Sequence, residues 1–428
     1  MSNGKKTLIP LAVLIAALAF QSSALMPPAF AASTWYVAPT GGPTHSPGGS
    51  CTDPAENTIS AAISDAAAGD TINVCTGTYV EQVTVSESLT LQAASLLATP
   101  TIQAPASLTQ NPSGFANIVT ISGPTTVVTF SGFTVEGPAS SACGGATFFD
   151  GIFVEDGATA TITHNSILHV RDNPLDGDQC GRAILVGVDT GLDGSPIATV
   201  GTATITKNVI SDYQKSGIAV DNTGSTATIT GNTITGAGPT TLIAQNGIEV
   251  LDGASATVNY NKVSGNSYSA ACNTQNYFTS CDQSAGILLY DPAVLSTVQG
   301  NEVSKNDVGI LAYNSGVWLP LTVQPGLMKS MAALTVTSNN VHDNYGYGLV
   351  FDGVPALSQT NLISKNPVGI LVTDSAANAF VTSLSDQFVG NTVNTFAYSA
   401  AGSFSLTFSV ETQPFSFPLP HPPQHHPP

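Results

Sequence analysis

"VSKNDVGILAYN" spans Val303–Asn314 and "ISKNPVGILVTD" spans Ile363–Asp374. Two near-identical phrases in one chain point to stacking, and the surrounding sequence extends both. Two alternating phrases fill the middle of the chain, and the first has the form Thr-Ile/Val-x-x-Asn-x-Ile/Val: "TITHNSI", "TITKNVI", "TITGNTI", "TVNYNKV", "TVQGNEV" and "TVTSNNV", with a weaker "LSQTNLI". Its asparagines are Asn165, Asn208, Asn232, Asn261, Asn301, Asn339 and Asn361. The second phrase is Gly-Ile followed by alternating apolar positions, as in "GIFVED", "GIAVDN", "GIEVLDG", "GILLYD" and "GLVFDG", with "AILVGVD" as a variant. Each reads as a short period-two strand rich in β-branched residues and punctuated by Gly, Asn or Asp.

The tightest spacing, Asn339 to Asn361, is 22 residues. Such a period marks a repeat whose single unit cannot bury its own apolar face. Propeller blades need about twice that length, and the leucine-rich pattern is missing. The sequence therefore predicts a coil of short strands, Ile and Val inward, Asn amides stacked at the turns and Gly at the bends. Upstream, "NTISAAISDAAAGD" sets Ile59, Ala62, Ile63 and Ala66 on one helical face, with Asn57 or Thr58 as N-cap. An amphipathic helix there covers the open end of the stack.

Composition narrows the partners. The 428 residues carry a formal charge of −18, and only 9% are charged. Lys5 and Lys6, the apolar run "TLIPLAVLIAALAF" and "AFA" ending at Ala31 form a signal-peptide pattern with cleavage after Ala31. That run is too short for a membrane span, so a secreted, extracellular protein is expected. Without Lys5 and Lys6, eight basic residues face 28 acidic ones, which argues against nucleic acid as partner. Export makes the six cysteines readable as disulfides. Proximity favours Cys51–Cys75, Cys143–Cys180 and Cys272–Cys281 among the 15 pairings that six cysteines allow. A Cys51–Cys75 bridge closes a loop around the helix and contributes about 3 kcal/mol in the chain-entropy model.

"WYVAPTGG", "TISAAISDAAAGDTINVCTGTYVEQVTV" and the repeats together resemble the right-handed parallel β-helix proteins of the pectin-lyase-like superfamily, over roughly residues 34–395. The resemblance implies an all-β, single-domain right-handed parallel β-helix with an N-terminal capping helix. The expected division is residues 1–31 signal peptide, 32–95 cap and first coils, 96–395 repeats, 396–414 closing strands and 415–428 a disordered Pro/His-rich tail. The superfamily includes pectate lyases, polygalacturonases, alginate lyases, uronan epimerases, adhesins and exported proteins of no known activity. "ILLYDPAV" partly resembles the epimerase Tyr-x-x-Asp-Pro-His signature, but Ala293 stands where that family has its catalytic His. The polygalacturonase signatures are missing too.

Candidate site residues follow from local chemistry. Linkers of roughly residues 169–181, 235–245 and 264–285 exceed the minimal turn, and the coil of Asn208 lacks such an insertion. Arg171, Arg182, Lys207 and Lys215 fall within 45 residues, among His169, Asp172, Asp176, Asp178, Asp212 and Tyr213. A basic focus on an acidic chain can hold a uronate carboxylate. Arg171, Arg182, Lys215, Asp172 and Asp212 are then candidate catalytic groups, and Asp176 and Asp178 candidate Ca²⁺ ligands. The same stretch also reads as a turn-rich loop held by Cys180. His169, Tyr213, Tyr268, Tyr277, Trp318, His342 and Tyr345 are candidate substrate-binding residues, the aromatics because rings stack on sugars. The sequence thus leads to an exported β-helix that binds a polysaccharide or a cell-surface glycan. The alternatives are a lyase or hydrolase acting on an acidic glycan, and a structural surface spacer.

Overall fold

A computed structural model describes residues 31–111, 114–137, 148–190, 196–269, 284–293, 296–315, 334–373, 380–398 and 405–409. Three long parallel sheets form the walls of one right-handed β-helix. They contain 13, 11 and 11 strands, and one small antiparallel pair, Val188–Thr190 with Pro196–Thr199, lies outside them. The thirteen-stranded sheet begins at Thr34–Val37 and takes one strand from each coil, including Thr159–Thr163 and Thr202–Thr206. A turn at each Asn phrase leads into the short-strand sheet, which includes Ser166–Leu168 and Val209–Ser211. A second corner leads into the Gly-Ile sheet, which includes Phe148–Glu155, Arg182–Val186 and Ser216–Val220.

The expected stacking is observed strand by strand. Ile162, Ile205, Ile229, Val258, Val298 and Val336 align in register, so β-branched side chains from successive coils fill one continuous core. At the corner between the first two sheets, Asn165, Asn208, Asn232, Asn261, Asn301, Asn339 and Asn361 form a buried ladder. From Asn208 onward, each Oδ1 accepts both the backbone N–H and the side-chain Nδ2 of the Asn one coil earlier, at 2.8–3.0 Å; Asn165 Oδ1 accepts from the Phe133 N–H, and Asp386 receives the last pair. Asn266, Asn306, Asn344, Asn366 and Asn391 build a second ladder at the next corner. These amides satisfy backbone groups that the turns would otherwise bury unpaired. Beside the second ladder, Gly247 and Gly286 admit the carbonyl of the following coil where any Cβ would collide.

The helix Ile59–Asp65 packs Ile59, Ala62 and Ile63 onto the open end, and Thr58 is the N-cap, accepting from the Ala61 N–H. Cys51 and Cys75 are disulfide-bonded across it, as the sequence suggested. Cys180 is also disulfide-bonded; Cys143, Cys272 and Cys281 lie outside the described residues. No helix among the described residues is long and apolar enough to cross a membrane.

Candidate functional site

The residues grouped by the sequence separate onto different faces. Arg171 follows the short-strand sheet. Its Nε donates to Asp212 Oδ1 at 2.7 Å and its Nη1 to the Asp172 carbonyl at 2.7 Å. His169 bridges two carboxylates, with Nδ1 3.2 Å from Glu136 Oε1 and Nε2 3.3 Å from Asp212 Oδ2. Glu136, His169 and Asp212 come from three successive coils, and His169 and Asp212 both adopt the left-handed turn conformation, φ 58° and 52°. This cluster is part-exposed. Beside it, the carboxylates of Asp172, Asp176 and Asp178 lie within 4.8 Å of one another, a size that suits a divalent cation. Gln214 anchors the loop by donating to Asp176 Oδ1 at 2.6 Å.

Arg182 is elsewhere. It lies on the outer side of the Gly-Ile sheet, buried, with Nε 2.7 Å from Asp150 Oδ1 and its guanidinium 4.4 Å from the centre of the Phe148 ring. Asp150 is fully buried: burial pushes its carboxyl up, and Arg182 pulls it back only in part. The two arginines are eleven positions apart in the chain, but a corner intervenes. Lys215 donates to the Ala244 carbonyl at 3.0 Å. Tyr213 is removed from any surface role: it is fully buried, its hydroxyl donating to Asn266 Oδ1. Tyr268 is half-buried, with its N–H on Asp307 Oδ2 at 2.8 Å. His342 and Tyr345 lie farther along the helix. His342 Nδ1 is 2.7 Å from Asp343 Oδ2, and that hydrogen bond, outweighing slight desolvation, holds Asp343 below the usual carboxylate range with help from Lys365 and Lys305. Tyr345 is exposed. Tyr277 and Trp318 lie outside the described residues.

Register reveals a row that the sequence did not assemble. Past the inward column Val154–Val186–Val220–Val250, the next outward positions are Glu155, Gly187, Asp221 and Leu251, then Tyr290, Tyr313 and Asp352. Burial pushes Glu155 up to about 7, with Asp156 and Asp150 adding to the shift. Burial and then Asp252 push Asp221 to about 7, and among the described residues its Oδ1 has no hydrogen-bond partner. Farther along the row, the Tyr290 and Tyr313 rings stack at 5.2 Å, and Tyr290 is exposed. Burial, with Asp291 and Asp252, raises the Tyr290 phenol; burial, Asp352 and Tyr290 raise that of Tyr313. Both phenols therefore keep their protons at neutral pH. Strand pairing was needed to find this row, because coil lengths vary and the sequence alone does not show which acids become neighbours.

The profile of the right-handed β-helix region matches residues 150–323 and 197–385, together more than half of the chain. The chain belongs to the right-handed β-helix family. No curated protein sequence matches this β-helix protein. Among solved structures it is similar to the Azotobacter vinelandii mannuronan C-5 epimerase AlgE4 A-module, at 12% identity and TM-score 0.49, covering 79% of this chain and 91% of that one. XylC in complex with xylose matches at 13% identity and TM-score 0.46, over 78% and 69% of the two chains. The Dettilon tailspike protein matches at 14% and 0.48, over 77% and 57%. At these identities the likeness is one of fold.

Proposed function

We propose that this chain is an exported β-helix protein that binds carbohydrate along the Tyr290–Tyr313 rim of the Gly-Ile sheet. The observation that carries the reading is the pair of stacked tyrosines, one exposed, beside Asp252, Asp291 and Asp352. Rings offer a face to the C–H side of a sugar, and protonated phenols and carboxylates offer donors and acceptors to its hydroxyls. Export is supported by the Lys5–Ala31 pattern and by the Cys51–Cys75 bridge, a bond typical of oxidising compartments. Affinity electrophoresis in soluble polysaccharides tests the site. Tyr290→Ala and Tyr313→Ala should each weaken binding about tenfold, or about 1.4 kcal/mol, with unfolding unchanged. Retardation equal to that of the unaltered protein in both variants removes the rim from the reading.

The alternative is a lyase or hydrolase acting on an acidic glycan. The part-exposed Arg171–Asp212–His169–Glu136 cluster, with Asp172, Asp176 and Asp178 as candidate Ca²⁺ ligands, favours it. In this reading His169 exchanges a proton with substrate and Arg171 neutralises a uronate carboxylate. A turnover screen on pectate and alginate, with Ca²⁺ or chelator, separates the two. Product formation lost in folded Arg171→Ala assigns the enzyme reading; glycan retention without turnover assigns the binding one.

A further inference from the structure

The thirteen-stranded sheet carries a pattern that neither reading uses. Its central outward column runs Thr34, Thr71, Thr90, Thr129, Thr161, Thr204, Thr228, Thr257, Thr297, Thr335, Leu357 and Thr382, one residue per coil and in register. Eleven of these twelve positions are threonine, and every one of the twelve is at least partly exposed. Over three coils the flanking columns are threonine as well, Thr159–Thr161–Thr163, Thr202–Thr204–Thr206 and Thr226–Thr228–Thr230, and in the fourth Ser255 and Asn259 flank Thr257. No strand of this sheet contains Asp, Glu, Lys, Arg or His, in a chain of charge −18.

Strand propensity accounts for threonine on an exposed sheet, but it does not select one residue so uniformly in one column. Nor is the column an internal hydrogen-bond ladder. Thr206 Oγ1 donates to Thr163 and Thr226 Oγ1 to Thr202 in the flanking columns. Among the described residues, the hydroxyls of Thr161, Thr204, Thr228, Thr257 and Thr297, in contrast, have no hydrogen-bond partner. The result is a fixed two-dimensional grid of hydroxyls and methyls, with about 4.8 Å between coils and about 6.6 Å between alternate residues of a strand. Backbone pairing on both sides of each strand leaves the spacing little freedom to adjust.

We propose that this face binds ice. Its hydroxyls can take places in a hydrogen-bonded water lattice, while the methyls between them exclude loosely held water. The absence of charge suits a solid of neutral water molecules. The four-coil grid has no aromatic ring, which disfavours a sugar. The site is on a different sheet from the Tyr290–Tyr313 rim, so the two stand or fall separately.

Freezing-point hysteresis and partition into a growing ice front, measured on the purified protein, test the proposal. The unaltered protein should partition into ice and depress freezing. Thr204→Tyr/Thr228→Tyr should lose hysteresis about tenfold at equal concentration, with circular dichroism and melting temperature unchanged. Val209→Tyr, on the exposed side of the short-strand sheet, should retain it. The proposal is overturned if the unaltered protein behaves as a neutral globular control, or if the double variant equals it. It is equally overturned if the threonine variant abolishes binding to insoluble cellulose or chitin, or a dimer seen in sedimentation velocity, while the unaltered protein shows no hysteresis.

Discussion

The outer sides of the thirteen-stranded sheet and the Gly-Ile sheet share a backbone plan and an Ile/Val core, yet they differ in what covers them. On the first, threonine faces solvent in every coil from Thr129 to Thr335. On the second, Phe115, Phe148, Phe153, Leu185, Val188 and Ala219 form a separate apolar cluster, and the Asp150–Arg182 pair is buried beside them. Inward columns determine the solenoid and must be uniform to stack. Outward columns are released from that requirement, so differences between coils accumulate there.

The largest test of this contrast is Asp150→Ala. Removing the partner of a buried guanidinium should cost about 3–5 kcal/mol in denaturant unfolding, whereas Asp150→Leu/Arg182→Met should recover most of it. An equal loss in both would show that the cluster needs its charge. Next comes the corner at which the thirteen-stranded sheet passes into the short-strand sheet. Asn232→Ala leaves the Asn208 backbone N–H buried and unsatisfied, and should cost about 1–3 kcal/mol by the same measurement.

A pH series sharpens the contrast further. Glu155 and Asp221 have folded values raised to about 7, so the folded state holds their protons where the unfolded chain has released them. Stability from these groups is therefore greatest at acid pH and falls as pH rises from the ordinary carboxylate range through about 7. Glu155→Gln or Asp221→Asn should flatten that fall, raising stability at pH 8 by about 1–2 kcal/mol each, less than the full shift because solvent relaxes around a rim carboxylate. A thermal-unfolding series from pH 4 to 8 reads it. Smallest is the exposed Lys262–Glu302 pair at 3.1 Å: Lys262→Ala should change stability by less than about 1 kcal/mol, and salt should erase the difference.

The solenoid was legible because each coil restates its local rule. An Asn after a β-branched pair, then Gly-Ile, declares a turn and a strand without knowledge of the neighbours. The site was not legible in the same way. Arg171 and Arg182 are close in sequence, yet one meets Asp212 at the edge of the short-strand sheet and the other Asp150 on the Gly-Ile sheet. Tyr213, read as a ligand for sugar, is instead a core residue bonded to Asn266. The Glu155–Asp221 row and the threonine column depend on register between coils of unequal length. Neighbouring asparagines of the first ladder lie 22 residues apart at one step and 43 at another, so columns appear only when strands are paired.

The asparagine ladder also has a consequence for ancestry. Each Asn bonds to the next through the same pair of atoms, so residues 209–232 could be excised as one module and Asn208 would meet Asn261 as Asn232 did. Length then becomes an inherited variable, changed one rung at a time by duplication or deletion, with both faces growing or shrinking in step like the marks on a ruler.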